Sequence, residues 1–123
     1  MARAPTILVV DDHPELRDII VSTLAEPGYH ILAAPDAYEA LRFLADWDVD
    51  LLVTDVRLPG IDGFQLARRA KRMVPALHVI YISGYQTESQ RLAGATHGLL
   101  LRKPFRMAEL LGTINRQMGF STG

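Results

Sequence analysis

The chain has no cysteine, so disulfide bridges, thiolate nucleophiles and cysteine-ligated zinc are excluded as sources of stability or chemistry. No apolar run approaches the roughly 18 residues of a membrane-spanning helix. The opening Met1-Ala2-Arg3-Ala4-Pro5-Thr6 lacks the apolar core of a secretory signal. Neither sign of charge dominates: 13 basic side chains stand against 14 acidic ones, a net of −1. That balance removes any general attraction to nucleic acid or anionic membrane. Low-complexity tracts, internal repeats and linkers are missing too. What remains is a 123-residue chain, 49% hydrophobic, long enough to bury one core without covalent or metal staples. The expectation is one cytoplasmic domain over 1–123, with its core at about 6–118 and no attached output domain.

What is present is a set of short apolar runs, each ending in residues that can do chemistry. Ile7–Val10 runs into Asp11-Asp12, and Leu51–Thr54 into Asp55. Leu77–Ile82 ends at Ser83-Gly84, and Leu99–Leu101 leads through Arg102 to Lys103-Pro104. With Tyr29–Ala34 as a further strand, five β-segments alternate with helical patterns. Leu16, Ile19, Ile20, Thr23 and Leu24 recur at helical spacing after Pro14, until Pro27-Gly28 stops them. Asp36 and Glu39 fit a capping box for a helix that buries Ala40, Leu41, Phe43 and Leu44. A third helix presents Phe64, Leu66, Ala67 and Ala70, and a last one, about Met107 to Met118, presents Leu110, Leu111, Ile114 and Met118. Between Gln86 and Gly98, interrupted by Gly94, any helix is short and irregular. Repeated alternation predicts a doubly wound parallel sheet with helices on both faces. All the strand ends then share one edge, where open α/β sheets bind ligands.

Three carboxylates, a hydroxyl and an ammonium converge at that edge. Asp11, Asp12 and Asp55 in close approach raise one another's pKa unless a cation intervenes. A hard ion such as Mg²⁺ takes oxygen ligands, often one or two carboxylates plus phosphate oxygens. Asp55, central in the set, is the expected nucleophile, because a carboxylate can form an aspartyl phosphate. Lys103 offers a compact positive charge to an anionic oxygen, and Pro104 biases it to extended backbone and admits a cis peptide bond. Ser83 supplies a hydroxyl for a phosphoryl oxygen, and Gly84 permits close backbone approach.

The ordered set Asp11-Asp12, Asp55 with Leu58-Pro59-Gly60-Ile61-Asp62-Gly63, Ser83-Gly84 and Lys103-Pro104-Phe105 resembles the receiver domain of two-component response regulators, from about Thr6 to Met118. The resemblance implies a flavodoxin-like (CheY-like) fold with strand order 2-1-3-4-5, about five helices and a Mg²⁺-dependent phosphoacceptor at Asp55. It implies a metal site of Asp11, Asp12, Asp55 and the backbone carbonyl of Arg57, with Mn²⁺ as a possible substitute. It further implies a phosphohistidine donor on a histidine kinase or histidine phosphotransfer protein, and a downstream protein partner. No direct DNA or membrane contact is expected, and the state is a monomer or weak dimer. The chain would act as a switch, not an enzyme, or alternatively as a phosphoryl relay or sink in a hybrid-kinase pathway.

The chain departs from the family at Leu100, where members usually carry an aromatic three residues before the lysine. The stretch from Ser83 to Lys103 is also shorter than usual. Arg57 and Tyr85, two residues beyond Asp55 and Ser83, border the path of hydrolytic water by the same resemblance and are expected to lengthen the phosphoryl lifetime. A metal-dependent aspartyl phosphatase fits less well, because its nucleophile and second Asp lie two apart on the first strand, whereas here the first-strand acids are adjacent. A Rossmann module lacks its glycines after Asp11-Asp12. His13, His30, His78 and His97 show no paired ligand spacing. Arg68, Arg69, Lys71 and Arg72 read as a solvated helix end, and Tyr29, Tyr38, Phe43, Trp47 and Phe105 as packing residues.

Overall fold

Runs of β-branched and leucine residues buried on both faces belong in a parallel sheet covered by helices, and the computed structural model has that arrangement. It describes residues 4–25, 28–84 and 98–118. The elements run β1 (Thr6–Val10), α1 (Pro14–Ala25), β2 (His30–Ala34), α2 (Ala37–Asp46), β3 (Leu51–Asp55), α3 (Gly63–Met73), β4 (His78–Ser83), β5 (Leu99–Arg102) and α4 (Met107–Met118). All strand pairs are parallel, in the order β2-β1-β3-β4-β5. The short helix expected between Gln86 and Gly98 falls mostly outside the described residues.

Side chains alternate across the sheet with the two-residue period of strands. Leu8, Val10, Leu52, Val79 and Tyr81 pack with Leu44 of α2 and Leu66 and Ala67 of α3 on one face. Ile7, Val9, Leu51, Val53, Ile80 and Ile82 pack with Ile20 and Leu24 of α1 and Leu110 and Ile114 of α4 on the other. The inner strands β1 and β3 are buried at every residue, whereas the edge strands β2 and β5 are largely half-exposed. A strand with a neighbour on only one side cannot be covered like an inner one, however apolar its sequence.

Several expected packing positions turn outward. Ile19 continues the α1 pattern but is 52% exposed, because α1 buries only the Ile20–Leu24 stripe. Tyr38 and Trp47 are exposed as well, the latter with its ring against His30 at 5.5 Å. Asp36 caps α2 by accepting from the Glu39 N–H, yet the Glu39 carboxylate pairs with Arg42 and the expected reciprocal box is absent. The complete box sits one helix later. The Asp62 side chain accepts from the Gln65 N–H at 2.8 Å, and the Gln65 side chain accepts from the Asp62 N–H at 2.9 Å. That box fixes the start of α3 directly beneath the end of β3. The turn between them needs Gly60, whose φ of +79° is unfavourable for other residues.

Candidate functional site

The sheet register brings the chemistry together. Val10 is level with Thr54, Asp55 with Ile82, and Ser83 with Arg102. Strands β1, β3, β4 and β5 therefore end side by side, with Asp11, Asp55, Ser83 and Lys103 at or just past their carboxyl ends. Backbone bonds extend the ladder past the strands: Val56 N–H donates to the Ile82 carbonyl and Lys103 N–H to the Ser83 carbonyl. Gly63 N–H donates to the Val56 carbonyl, seating α3 under the Asp55 peptide. A Cβ on Gly63 would overlap the Asp55 carbonyl, so only glycine permits this approach.

Asp55 is almost fully buried and both its oxygens are engaged. Oδ1 accepts from the Arg57 N–H at 3.1 Å, and Oδ2 pairs with Lys103 Nζ at 3.0 Å. The Lys103-Pro104 peptide is cis, and the ammonium reaches across from beyond β5 to the end of β3. Ser83 is buried at the end of β4. Leu16 of α1 with Pro104, Phe105 and Met107 forms an apolar flank beside Lys103.

Asp11 is 1% exposed. Its Oδ1 accepts from the His13 N–H at 2.8 Å, whereas Oδ2 is buried with no hydrogen-bond partner among the described residues. Burial is the main force raising the Asp11 pKa; the nearby Asp55 carboxylate adds to it, and the His13 N–H and Lys103 oppose it. Asp12 lies next to it and faces solvent. Ligand atoms of Asp11, Asp12, His13 and Asp55 lie within 4.8 Å of one another. A buried carboxylate oxygen without a donor, in a cluster of acids, fits a hard divalent cation: oxygen donors are what Mg²⁺ prefers, and the cation would satisfy the bare lone pairs. His13, set aside on spacing, is part of this cluster, with Nδ1 3.1 Å from Asp12 Oδ1 and 3.3 Å from Asp11 Oδ1.

Arg57 is exposed, and Leu100 is half-buried on β5 opposite Tyr81. Tyr85 lies outside the described residues, as does His97. The sequence reading missed the environment of Tyr81. Its ring is fully buried edge-on to Phe64 at 4.9 Å, its hydroxyl has no partner among the described residues, and burial pushes its pKa up to about 12. Its two-residue offset from Ser83 places it on the same face of β4, which was the available signal. The basic run on α3 is a helix end as expected: Arg68, Arg69 and Arg72 face solvent, and Lys71 Nζ caps the Leu77 carbonyl at 2.8 Å.

The sequence matches the family described as response regulator receiver domain over residues 7–115. It is 33% identical over 121 residues to the DNA-binding transcriptional regulator NtrC of Azospirillum brasilense, covering 97% of this chain and 25% of that protein. The chain spans between about a quarter and a half of the length of the curated relatives it first matches. A response regulator receiver protein from Sinorhizobium medicae superposes with a TM-score of 0.87 at 31% identity, over 95% of this chain and 96% of that one. The response regulator TrrA of Thermotoga maritima, crystallised in complex with Mg²⁺-BeF, superposes with a TM-score of 0.82 at 28% identity, over 92% of this chain and 98% of that one.

Proposed function

The chain belongs to the response regulator receiver domain family, and from that membership we propose that it is a phosphorylation-controlled switch with Asp55 as phosphoacceptor. The donor is a phosphohistidine on a histidine kinase or histidine phosphotransfer protein. A carboxylate oxygen of Asp55 forms the new O–P bond as the donor's N–P bond breaks, and the leaving imidazole nitrogen keeps the electron pair. Asp11, Asp12 and Asp55, with the Arg57 carbonyl, would hold Mg²⁺ or substitute Mn²⁺, which when bound supplies positive charge against the phosphoryl oxygens. The unpartnered Asp11 Oδ2 and the Mg²⁺-BeF complex of the Thermotoga relative support that assignment.

Lys103 already neutralises the Asp55 carboxylate and is placed to follow the charge onto a phosphoryl oxygen. Ser83 donates its hydroxyl to another such oxygen. An aspartyl phosphate carries about −1.5 to −2 charge where the carboxylate carried −1, and meeting it draws the segment after β3 into a second arrangement. Signalling passes to a downstream protein through that rearrangement, in the cytoplasm, without direct contact to DNA or membrane and as a monomer or weak dimer. No helix among the described residues is long and apolar enough to cross a membrane. The chain turns over no substrate beyond slow loss of its own phosphoryl group.

The observation that carries this reading is the 3.0 Å contact between Lys103 Nζ and a buried Asp55 Oδ2, 48 residues apart in sequence. Incubation with acetyl phosphate and Mg²⁺, followed by intact mass, tests it. One phosphoryl mass is expected on the native chain and none on Asp55→Ala. Equal labelling of both, or none on the native chain even with a phosphorylated kinase, refutes the assignment.

A further inference from the structure

We propose that His13 is a ligand of the acidic metal site and selects for divalent ions that favour imidazole. The inference rests on the metal site assigned above. The local chain conformation explains why Nδ1 of the ring faces the two carboxylates. The His13 N–H donates to Asp11 Oδ1 at 2.8 Å, a turn in which an Asp side chain captures the backbone two residues on. Pro14 then opens α1 and holds His13 out of the helical region. The imidazole is brought back over the carboxylates and not out along α1.

The distances suit coordination. Octahedral ligands at about 2.0–2.1 Å from an ion place neighbouring donor atoms about 3 Å apart. His13 Nδ1 stands 3.1 Å from Asp12 Oδ1 and 3.3 Å from Asp11 Oδ1, so it occupies a position adjacent to both. The four donors, Asp55 included, fit within 4.8 Å. Asp11 Oδ2, buried and without a partner, independently marks the place where a cation is wanted. Nδ1 lies almost equally near two carboxylates, where a simple hydrogen bond would engage one. The ring itself is 69% exposed, so it can adjust to an ion without displacing the core.

The chemistry of the donor set follows. Carboxylates and carbonyls suit Mg²⁺ and Mn²⁺, whereas imidazole suits Zn²⁺, Ni²⁺ and Co²⁺. An all-oxygen site already prefers the later metals to Mg²⁺ by the general affinity order, so a raw preference says little. The signature of His13 is a selective loss: removing the imidazole weakens Ni²⁺ and Co²⁺ and leaves Mg²⁺ alone.

Isothermal titration of the tag-free chain with Mg²⁺, Ni²⁺ and Co²⁺ tests this for the native protein, His13→Ala and Asp11→Asn, at one fixed pH above neutrality. Circular dichroism checks that each variant is folded. His13→Ala should lose at least about tenfold in Ni²⁺ and Co²⁺ affinity, by comparison with the 10–100-fold cost of lesser ligand perturbations, with Mg²⁺ affinity unchanged. The visible absorption of the Co²⁺ form should shift with the lost nitrogen ligand. Equal affinities for all three ions in native and His13→Ala protein overturn the His13 assignment and leave the acidic site standing. A parallel loss of Mg²⁺ affinity overturns the claim of selectivity. If the native chain binds none of the ions, or Asp11→Asn binds them as the native chain does, the acidic site itself is refuted.

Discussion

Replacing Asp11 by asparagine should invert the stability order of native and variant protein according to whether metal is present. Asp11 is 1% exposed, one of its oxygens has no partner, and the Asp55 carboxylate stands nearby. Asparagine keeps the size and shape, removes the buried charge, and offers an N–H₂ where the bare oxygen was. Without divalent metal the variant should unfold with about 1–2 kcal/mol more free energy at neutral pH, the usual gain when a strained functional site is relaxed. The pH dependence has a definite sign. Burial holds the Asp11 carboxyl above its usual range in the folded chain, so the native state takes up its proton at higher pH than the unfolded chain does. Native stability therefore falls as pH rises from the ordinary carboxylate value through the raised one, and the variant lacks that loss. The advantage of asparagine should be full above the raised value and should fade as pH drops through it. At Mg²⁺ 100-fold above its dissociation constant the native chain gains about 2.7 kcal/mol by mass action, and the variant, missing a ligand, should gain far less. Urea unfolding by far-ultraviolet circular dichroism, in chelator and then in Mg²⁺, reads both effects. A variant less stable than the native chain in chelator, or an equal Mg²⁺ increment in both, refutes the assignment of Asp11 as a buried metal ligand.

Tyr81→Phe should raise the midpoint of thermal unfolding, with a gain of about 1 kcal/mol, because it removes a buried hydroxyl that has no partner and keeps the ring contact with Phe64; a lowered midpoint would show that the hydroxyl is satisfied. Asp62→Ala and Asp36→Ala should each cost about 0.5–2 kcal/mol in urea unfolding, because each removes the one side-chain oxygen that accepts from the third N–H of its helix; an unchanged midpoint would show that the cap contributes nothing. Arg57→Asn and Tyr85→Ala should each shorten the phosphoryl lifetime, read as loss of the added mass after the donor is removed. Unchanged or slower decay would count against their shielding of hydrolytic water.

The acidic pair, Asp55, Ser83 and Lys103 were legible in sequence because each follows an apolar run, and parallel strands must end at a common edge. The sheet order rested on a resemblance, and the register of Asp55 with Ile82 and Ser83 with Arg102 agrees with it. Periodicity was less informative about how far each buried face extends. Ile19 lies on the apolar side of α1 by spacing, yet whether it is covered depends on the reach of neighbouring elements. Trp47 and Tyr38 carry large apolar surfaces that composition assigns inward, yet Tyr38 is 70% exposed and Trp47, with its ring against His30, 48%. Asp36 and Glu39 have the spacing of a box, but Glu39 is claimed by Arg42 one turn on. The placement of His13 depends on a turn closed by one side-chain hydrogen bond, and the isolation of the Tyr81 hydroxyl depends on everything around it. Spacing reports which side a residue faces, and the partners it finds there are set by tertiary contacts.

The contact of Gly63 with the Asp55 peptide constrains how the protein can vary. A side chain at position 63 would strike backbone, which cannot rotate away as a side-chain tip can. In a pool of random variants this position should admit no replacement even when selection asks only for a folded chain. Gly60 has open space around it and is limited by its φ alone, so asparagine remains a tolerable substitute there. Two glycines three residues apart thus mark different boundaries on sequence drift, and only Gly63 ties the lineage of α3 to that of β3.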